Sequence, residues 1–228
     1  MSQQKLPSVV KQLVLKDWEL NRHFIVTTIV CGAAELALLL LKREPVTVVG
    51  ITTLLITLIF MGCMIAGSNI LNERKKQSLP FIMSLPISSV EYTTSKLVST
   101  VGMYLIAWVP LVLATVWLIA GPRILPPGVI PMALIVLTLP LIGFCVVTAM
   151  TLVGETEGWN LAANVVSNSS YGLTWYFITR TPSLMRDLTS KVPVWNSAVV
   201  TFLVSEFALI AVILALTYYL QARKTDFV

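Results

Sequence analysis

The sequence predicts an all-α, polytopic membrane protein with six transmembrane helices, folded as a single transmembrane domain over residues 1–228. Hydrophobic residues make up 56% of the chain and charged residues only 12%, whereas soluble domains carry roughly 45–50% and about 25%. The apolar residues also fall in long blocks separated by short polar joints. A bilayer core of about 30 Å requires about 20 apolar residues in a helix, so these blocks have the length of membrane spans.

Six apolar blocks reach or approach that length. They are Phe24–Leu41, Val46–Leu71, Leu97–Ala120, Val129–Val153, Leu161–Ile178 and Ser197–Leu220. The fifth block is the most polar, because it holds two Asn and three Ser between Asn164 and Ser170. Such residues are tolerated at lipid depth where they face other helices or a water-filled cavity. We therefore expect the polar side of the fifth helix to face away from lipid.

The distribution of Lys and Arg predicts that both termini are cytoplasmic. With the N-terminus inside, the inner segments hold ten of these residues and the outer joints hold six. Cytoplasmic loops of membrane proteins carry the excess of Lys and Arg, and the first span usually dominates the orientation. The same orientation places the polar segment 72–96 in the cytoplasm.

Residues 1–23 are predicted to form an N-terminal amphipathic helix. Apolar side chains recur there at helical spacing, at Val10, Leu13, Val14 and Trp18. This pattern is typical of a helix that lies in the membrane surface. A simple extension of the first span into the cytoplasm is the alternative, because Leu15 interrupts the apolar stripe.

The segment 72–96 is the most charge-dense part of the chain and predicts a short helix across the cytoplasmic face. Pro80 and Pro86 break the extension of the second span, since proline interrupts a helical hydrogen-bond ladder. Ser88 or Ser89 then provides a helix cap, and Glu91 in the first turn suits the helix dipole. Lys96 is expected at the next membrane boundary.

The sequence contains no pattern typical of an enzyme. A phosphate loop of the form GxxxxGK[ST] is absent, as are HExxH and GxSxG, so nucleotide, metalloprotease and serine-hydrolase sites are not indicated. Three isolated cysteines and a single histidine do not predict a metal site or a disulfide framework. The basic residues are scattered over the joints, which disfavours nucleic-acid binding. Glu155 and Glu157 are spaced i,i+2 and point to different helix faces, which disfavours a carboxylate catalytic pair.

Two acidic residues, Glu35 and Glu206, fall within predicted spans. A carboxylate in the middle of a membrane is costly, so each side chain is expected to face the helix bundle, a partner or water. The sequence leaves open whether they hydrogen-bond between helices or contact a substrate or an ion.

The run ERKKQSLPFIMSLPISSVEYTTSKL, Glu73–Leu97, resembles the segment after the second span of ABC-2 type permeases, the membrane subunits of ATP-binding-cassette exporters. The matching positions are Glu73, Ser78, Leu79, Ser84, Leu85, Pro86, Ile87, Ser88, Glu91, Tyr92 and Lys96. Gln77 and Pro80 depart from the family pattern. The start LVLKDWELNRHFI also resembles the family's N-terminal elbow helix, and the basic end QARKTDF completes a similar frame.

The resemblance implies a coupling helix within residues 72–96 that docks on a separate ABC ATPase subunit. A second, smaller contact would come from the turn GETEGWN between the fourth and fifth spans. The implied contact residues are Glu73, Arg74, Ser84, Leu85, Pro86, Glu91, Glu155 and Glu157. ATP and Mg²⁺ would then be held by the partner ATPase and by no site on this chain. The implied location is the plasma membrane of a prokaryote.

Six helices supply only half of a transport pathway, so a second permease copy, identical or similar, is expected beside this chain. The polar side of the fifth helix is the predicted wall of the pathway, formed by Asn164, Ser167, Asn168 and Tyr171. The implied activity is ATP-driven export of a hydrophobic or amphipathic compound or peptide. The alternatives are a regulatory or structural subunit of a membrane complex and a secondary transporter driven by protons through Glu35 or Glu206.

Overall fold

The computed structural model describes residues 7–71, 89–154 and 156–223, and these residues include six long helices. The helices are α1 Pro7–Leu39, α2 Glu44–Ala66, α3 Ser89–Ala120, α4 Ile130–Gly154, α5 Glu157–Arg180 and α6 Ser197–Ala222. No strand occurs in the described ranges. The all-α prediction is therefore confirmed for them.

Five of these helices are long and apolar enough to cross a membrane, namely α1, α2, α3, α4 and α6. The chain thus has the build of a multi-pass membrane protein. Helix α5 has 24 residues, which gives it a length of about 36 Å at 1.5 Å per residue. Its Asn and Ser residues make it less apolar than the other five helices. Helix α5 is thus long enough for the remaining predicted span, but it is less apolar than the five candidate spans.

Helix α4 is the centre of the bundle. It packs against α2, α5 and α6, and α3 packs mainly against α1. In its most apolar window 67% of residues are buried, against 11% for α6. The main core contains a stacked aromatic pair, Tyr104 on α3 and Phe144 on α4, with ring centroids 4.2 Å apart. Gly62 on α2 lies against both rings, so this point joins three helices.

Successive helices run in alternate directions, which gives the bundle two ends. The N-terminal end holds the starts of α1, α3 and α5 and the ends of α2, α4 and α6. At this end Gln221 of α6 donates a hydrogen bond to the carbonyl oxygen of Leu152. At the opposite end, Gly128 N–H donates to the carbonyl oxygen of Ser190 at 3.0 Å, which joins the α3–α4 turn to the turn before α6.

The N-terminal surface helix predicted over residues 1–23 is not a separate element in the described residues. From Pro7 onward the chain forms one continuous helix of 33 residues that runs into the first span, as the alternative interpretation expected. No proline follows Pro7 in this stretch and its first glycine is Gly32, so nothing interrupts the hydrogen-bond ladder near residue 23.

The short helix predicted across residues 72–96 is described only from Ser89. Helix α3 begins at that residue, within the predicted start, and it continues through Lys96 into the span without a break. The side chain of Lys96, which the sequence predicts to lie at a membrane boundary, is fully buried within the bundle. Residues 72–88 lie outside the described residues.

Candidate functional site

Most of the residues implied in ATPase contact lie outside the described part of the chain. These are Glu73, Arg74, Ser84, Leu85, Pro86 and Glu155. The two that are described lie at the N-terminal end of the bundle: Glu91 is in the first turn of α3, and Glu157 is the first residue of α5 and is exposed. Thr156 caps α5, and its hydroxyl accepts a hydrogen bond from Trp159 N–H at 3.4 Å.

A buried cluster of polar side chains joins α1, the end of α2 and the start of α3, and we call it the polar junction. It consists of Asp17, Asn21, Ser68, Asn69, Lys96, Ser99 and Thr100. Its members come from both sides of the predicted coupling segment 72–96: Asn69 lies shortly before that segment, and Lys96 is its last residue. The polar junction therefore anchors both ends of the predicted coupling segment to α1.

An ion pair forms the first half of the polar junction. Lys96 Nζ lies 2.9 and 3.1 Å from the two carboxylate oxygens of Asp17, and Ser99 Oγ donates to the same carboxylate at 2.9 Å. The side chains of Lys96 and Asp17 are 0% and 2% exposed. Because a buried charge without a partner costs several kcal/mol, each of these two residues depends on the other.

Amide hydrogen bonds form the second half. Asn21 Nδ2 donates to Asn69 Oδ1 at 2.7 Å and to the carbonyl oxygen of Asp17 at 2.9 Å. Ser68 Oγ donates to Asn21 Oδ1 at 2.7 Å, and Asn69 Nδ2 reaches Thr100 Oγ1 at 3.4 Å. Ser68 and Asn69 belong to a π-helical turn, Gly67–Leu71, that ends α2. Such turns are rare and frequently lie at functional sites.

Sequence reasoning did not single out the polar junction. Of its members, only Lys96 has a predicted place, at a membrane boundary. A usable signal was present, because Asp17 and Asn21 are spaced i,i+4, and Lys96, Ser99 and Thr100 are spaced i,i+3 and i,i+4. Each set occupies one face of its helix, yet nothing in the spacing says that the two faces meet.

The polar side of α5 packs against α4 and α2. Asn164 Oδ1 accepts a hydrogen bond from Cys63 Sγ at 2.7 Å, and Ser167 Oγ donates to Tyr171 Oη at 3.2 Å. Both of these hydroxyl oxygens lie over Gly143 of α4, where a Cβ would overlap them. The structure thus brings together three of the four predicted wall residues.

The space that these side chains enclose is about 10 Å³, which is at the lower limit for one water molecule. Asn168, the fourth predicted wall residue, is exposed on the outer surface of α5 while also bordering this small cavity. In this conformation the polar residues of α5 therefore act mainly as contacts between helices.

The two intramembrane acidic residues have different surroundings. Glu35 Oε1 accepts a hydrogen bond from Thr57 Oγ1 of α2 at 2.6 Å, which is the interhelical role that the sequence left open. Glu206 of α6 is buried, and its two carboxyl oxygens have no hydrogen-bond partner among the described residues. Glu206 lines a groove between α4, α5 and α6.

Within the ranges that the structure describes, no group of three or more His, Cys, Asp and Glu residues is placed to hold a metal ion. Comparisons of the chain with protein families, with curated proteins and with solved structures gave no match.

Proposed function

We propose that this chain is the membrane subunit of an ATP-binding-cassette exporter of the ABC-2 type, in which a separate ATPase acts on the coupling segment 72–96. The observation that carries the proposal is the polar junction, considered together with the sequence of that segment. The segment resembles the ATPase-binding part of such permeases, and both of its ends are attached by buried polar contacts to α1. A movement of the segment would therefore be transmitted to α1, α2 and α3 together.

The lengths of α1 and α3 support this arrangement. They have 33 and 32 residues, or about 50 Å each at 1.5 Å per residue, whereas the hydrocarbon core is about 30 Å thick. Both helices are joined by the polar junction at the N-terminal end of the bundle, so the excess length lies where a cytoplasmic ATPase would bind. Rigid elements of this kind transmit domain movements well, because packed helices shift as units.

In the complete proposal, α5 is the sixth membrane span and both termini are in the cytoplasm of a prokaryote. Two permease copies form the pathway together, and ATP and Mg²⁺ are bound by two ATPase subunits. The low apolarity of α5 is compatible with a span because its polar side packs against α4 and α2. The cargo is a hydrophobic or amphipathic compound or peptide.

Changing the coupling segment is expected to separate ATP hydrolysis from transport. Glu73→Ala or replacement of Leu85 and Pro86 should lower transport at least about tenfold, because the ATPase would bind the segment less tightly. The permease should still insert into the membrane. The measurement is co-purification of the ATPase with the permease, together with transport in proteoliposomes. Lys191→Ala, a change of charge at the opposite end of the bundle, is the matched control.

Normal transport and ATPase binding in the coupling variants would contradict the proposal. Co-purification of an ATPase with normal hydrolysis but no dependence of transport on ATP would instead favour a regulatory subunit. Transport that follows a proton gradient without any ATPase would favour the secondary transporter.

Replacing Asn168 by leucine is expected to change the response to substrate without reducing assembly. Asn168 is the exposed member of the predicted pathway wall, so it contacts a substrate or a second copy without being needed for the α4–α5 packing. Substrate-stimulated ATPase activity over a panel of candidate cargoes is the measurement, with Ser169→Leu, a neighbouring exposed position, as the control. An unchanged substrate profile would limit the polar side of α5 to helix packing.

A further inference from the structure

A groove of about 460 Å³ runs between α4, α5 and α6 in the half of the bundle that lies toward the α5–α6 turn. Its walls are mainly apolar and include Leu139 and Ile142 of α4, Phe177 of α5, and Phe202 and Leu209 of α6. Pockets for small molecules usually have volumes of about 300–1,000 Å³, apolar walls and a few placed polar groups. The groove has the size and the apolar walls of such a pocket.

The charged group of the groove is Glu206, whose side chain lines it. The residue is only 6% exposed, and neither carboxyl oxygen has a hydrogen-bond partner in the described part of the chain. Buried carboxyl groups in native proteins are normally hydrogen-bonded, because an unsatisfied one costs free energy. Glu206 is therefore a buried acceptor whose donor does not come from the described residues.

The other polar groups of the groove do not supply that donor. They are hydroxyl groups, and each donates its proton to a carbonyl oxygen of its own helix: Ser205 to Phe202 at 2.7 Å, Thr174 to Ser170 at 3.0 Å and Thr181 to Phe177 at 2.9 Å. A hydroxyl group has one donor and two lone pairs, so what these residues offer to the groove is lone pairs. With Glu206 ionised, the described residues of the groove thus present acceptors alone, in an apolar surrounding.

A partner for this groove needs hydrogen-bond donors, a positive charge and an apolar body. A protonated amine has N–H donors and no acceptor, and it pairs with a carboxylate through charge-assisted hydrogen bonds. Phe177 and Phe202 add aromatic rings to the walls, and such rings attract ammonium groups. We propose that this groove binds a lipophilic primary amine, with its ammonium group on Glu206 and its apolar chain along α4 and α6.

The depth of Glu206 favours a free amine over an aminolipid of the bilayer. Glu206 follows Ser197, the first residue of α6, by nine positions, which corresponds to about 14 Å along the helix. That is about half of the hydrocarbon thickness, so the headgroup of a lipid at the membrane surface lies above the carboxylate. A free amine has no phosphate to hold it at the surface and can bring its charge to this depth.

A second groove of similar size, about 460 Å³, lies toward the N-terminal end and includes Trp159 and Leu216. Apart from the Trp159 indole, Thr217 is its one polar lining side chain among the described residues, and that hydroxyl donates to Ile213 O. This groove does not select a ligand by charge.

The link between the amine site and export rests on the proposed function, whereas binding itself is a property of this chain alone.

The test is binding of radiolabelled dodecylamine to the purified full chain in phosphatidylcholine nanodiscs, corrected for uptake by empty nanodiscs. We expect saturable binding, and Glu206→Gln should weaken it by at least about tenfold, because a hydrogen bond to a charged group contributes that much or more. Dodecanol has the same chain without the charge and should not distinguish the variant from the original chain. Glu35→Gln, which changes an intramembrane glutamate outside the groove, should bind the amine normally.

Leu209→Trp provides a variant that keeps Glu206 and fills part of the groove, and it should also weaken amine binding. Equal amine affinity in the original chain and Glu206→Gln, or the absence of saturable binding, would overturn the proposal. Competition by added phosphatidylethanolamine would overturn the assignment to a free amine. A changed oligomeric state of Glu206→Gln would show that a second copy of the chain covers the groove, and it would also overturn the proposal. These outcomes do not depend on an ATPase, so a failed transport assay would leave the binding result standing.

Discussion

Asp17→Ala is expected to lower the free energy of unfolding by about 3–5 kcal/mol, which is the usual effect of breaking a buried ion pair. The change takes the carboxylate away from the fully buried Lys96 and removes one of the two acceptors of Ser99. Lys96→Met should have a comparable effect, because it leaves the buried Asp17 carboxylate without its closest cation. Thermal unfolding of the purified chain in detergent, followed by the loss of helical circular dichroism, is the measurement.

Two further variants separate the ion pair from a general sensitivity of this region. The double variant Asp17→Leu with Lys96→Met removes both charges, and it should recover most of the lost stability, since apolar side chains often replace a buried pair without loss. Lys16→Ala is the control, because Lys16 is 49% exposed and lies 3.7 Å from Asp17, and exposed pairs contribute about 0–1 kcal/mol. Equal effects of Lys16→Ala and Asp17→Ala would contradict the importance of the buried pair.

Gly143→Ala is expected to have the second largest effect, a loss of about 1–3 kcal/mol, which is typical of overpacked cores. A Cβ at this position would overlap Tyr171 Oη and Ser167 Oγ, so these side chains or α5 itself must shift away from α4. Gly102→Ala is the matched control, because a Cβ added to Gly102 would have no other side chain within 4 Å. The same thermal unfolding measurement compares the two variants.

The cause of the Gly143 effect can be checked by removing the side-chain atoms that a Cβ at position 143 would overlap. Tyr171→Leu and Ser167→Ala take away both hydroxyl groups, so adding them to Gly143→Ala should restore part of the stability. If the triple variant is no more stable than Gly143→Ala, the close approach of α4 and α5 is not what Gly143 provides.

The sequence predicts the helices well because each helix is determined by residues that are close together in the chain. Long apolar blocks fix the existence and approximate limits of α2, α3, α4 and α6, and α3 begins at Ser89, where the sequence predicts a helix start. Helix α1 was harder to predict, since the apolar stripe before residue 23 has the same appearance in a surface helix and in an extended span. The continuous ladder of α1 decides between these two, and it is a property of the backbone that side-chain periodicity does not encode.

The polar contacts were less predictable because they join residues far apart in the chain. Lys96 and Asp17 are separated by 79 positions, and only the packing of α1 on α3 shows that two charges near a membrane boundary neutralise each other. The sequence predicts that the polar side of α5 faces away from lipid. Three of its residues contact other helices. The sequence did not show that Gly143 of α4 provides the space for them.

The π-helical turn at the end of α2 makes the direction of the following chain depend on the number of residues in Gly67–Leu71. A π-helical turn holds one residue more than the α-helical turn it replaces, and each α-helical residue rotates the chain by about 100°. Deleting a single residue there would thus return the turn to α-helical form and nearly keep the direction in which the chain leaves α2, whereas an added residue would rotate that exit by about 100°. A Cβ added to Gly67 would meet no other side chain within 4 Å, so this residue contributes to length and not to packing. An insertion at this point therefore reorients the exit from α2, whereas a one-residue deletion or a substitution of Gly67 leaves its direction nearly unchanged.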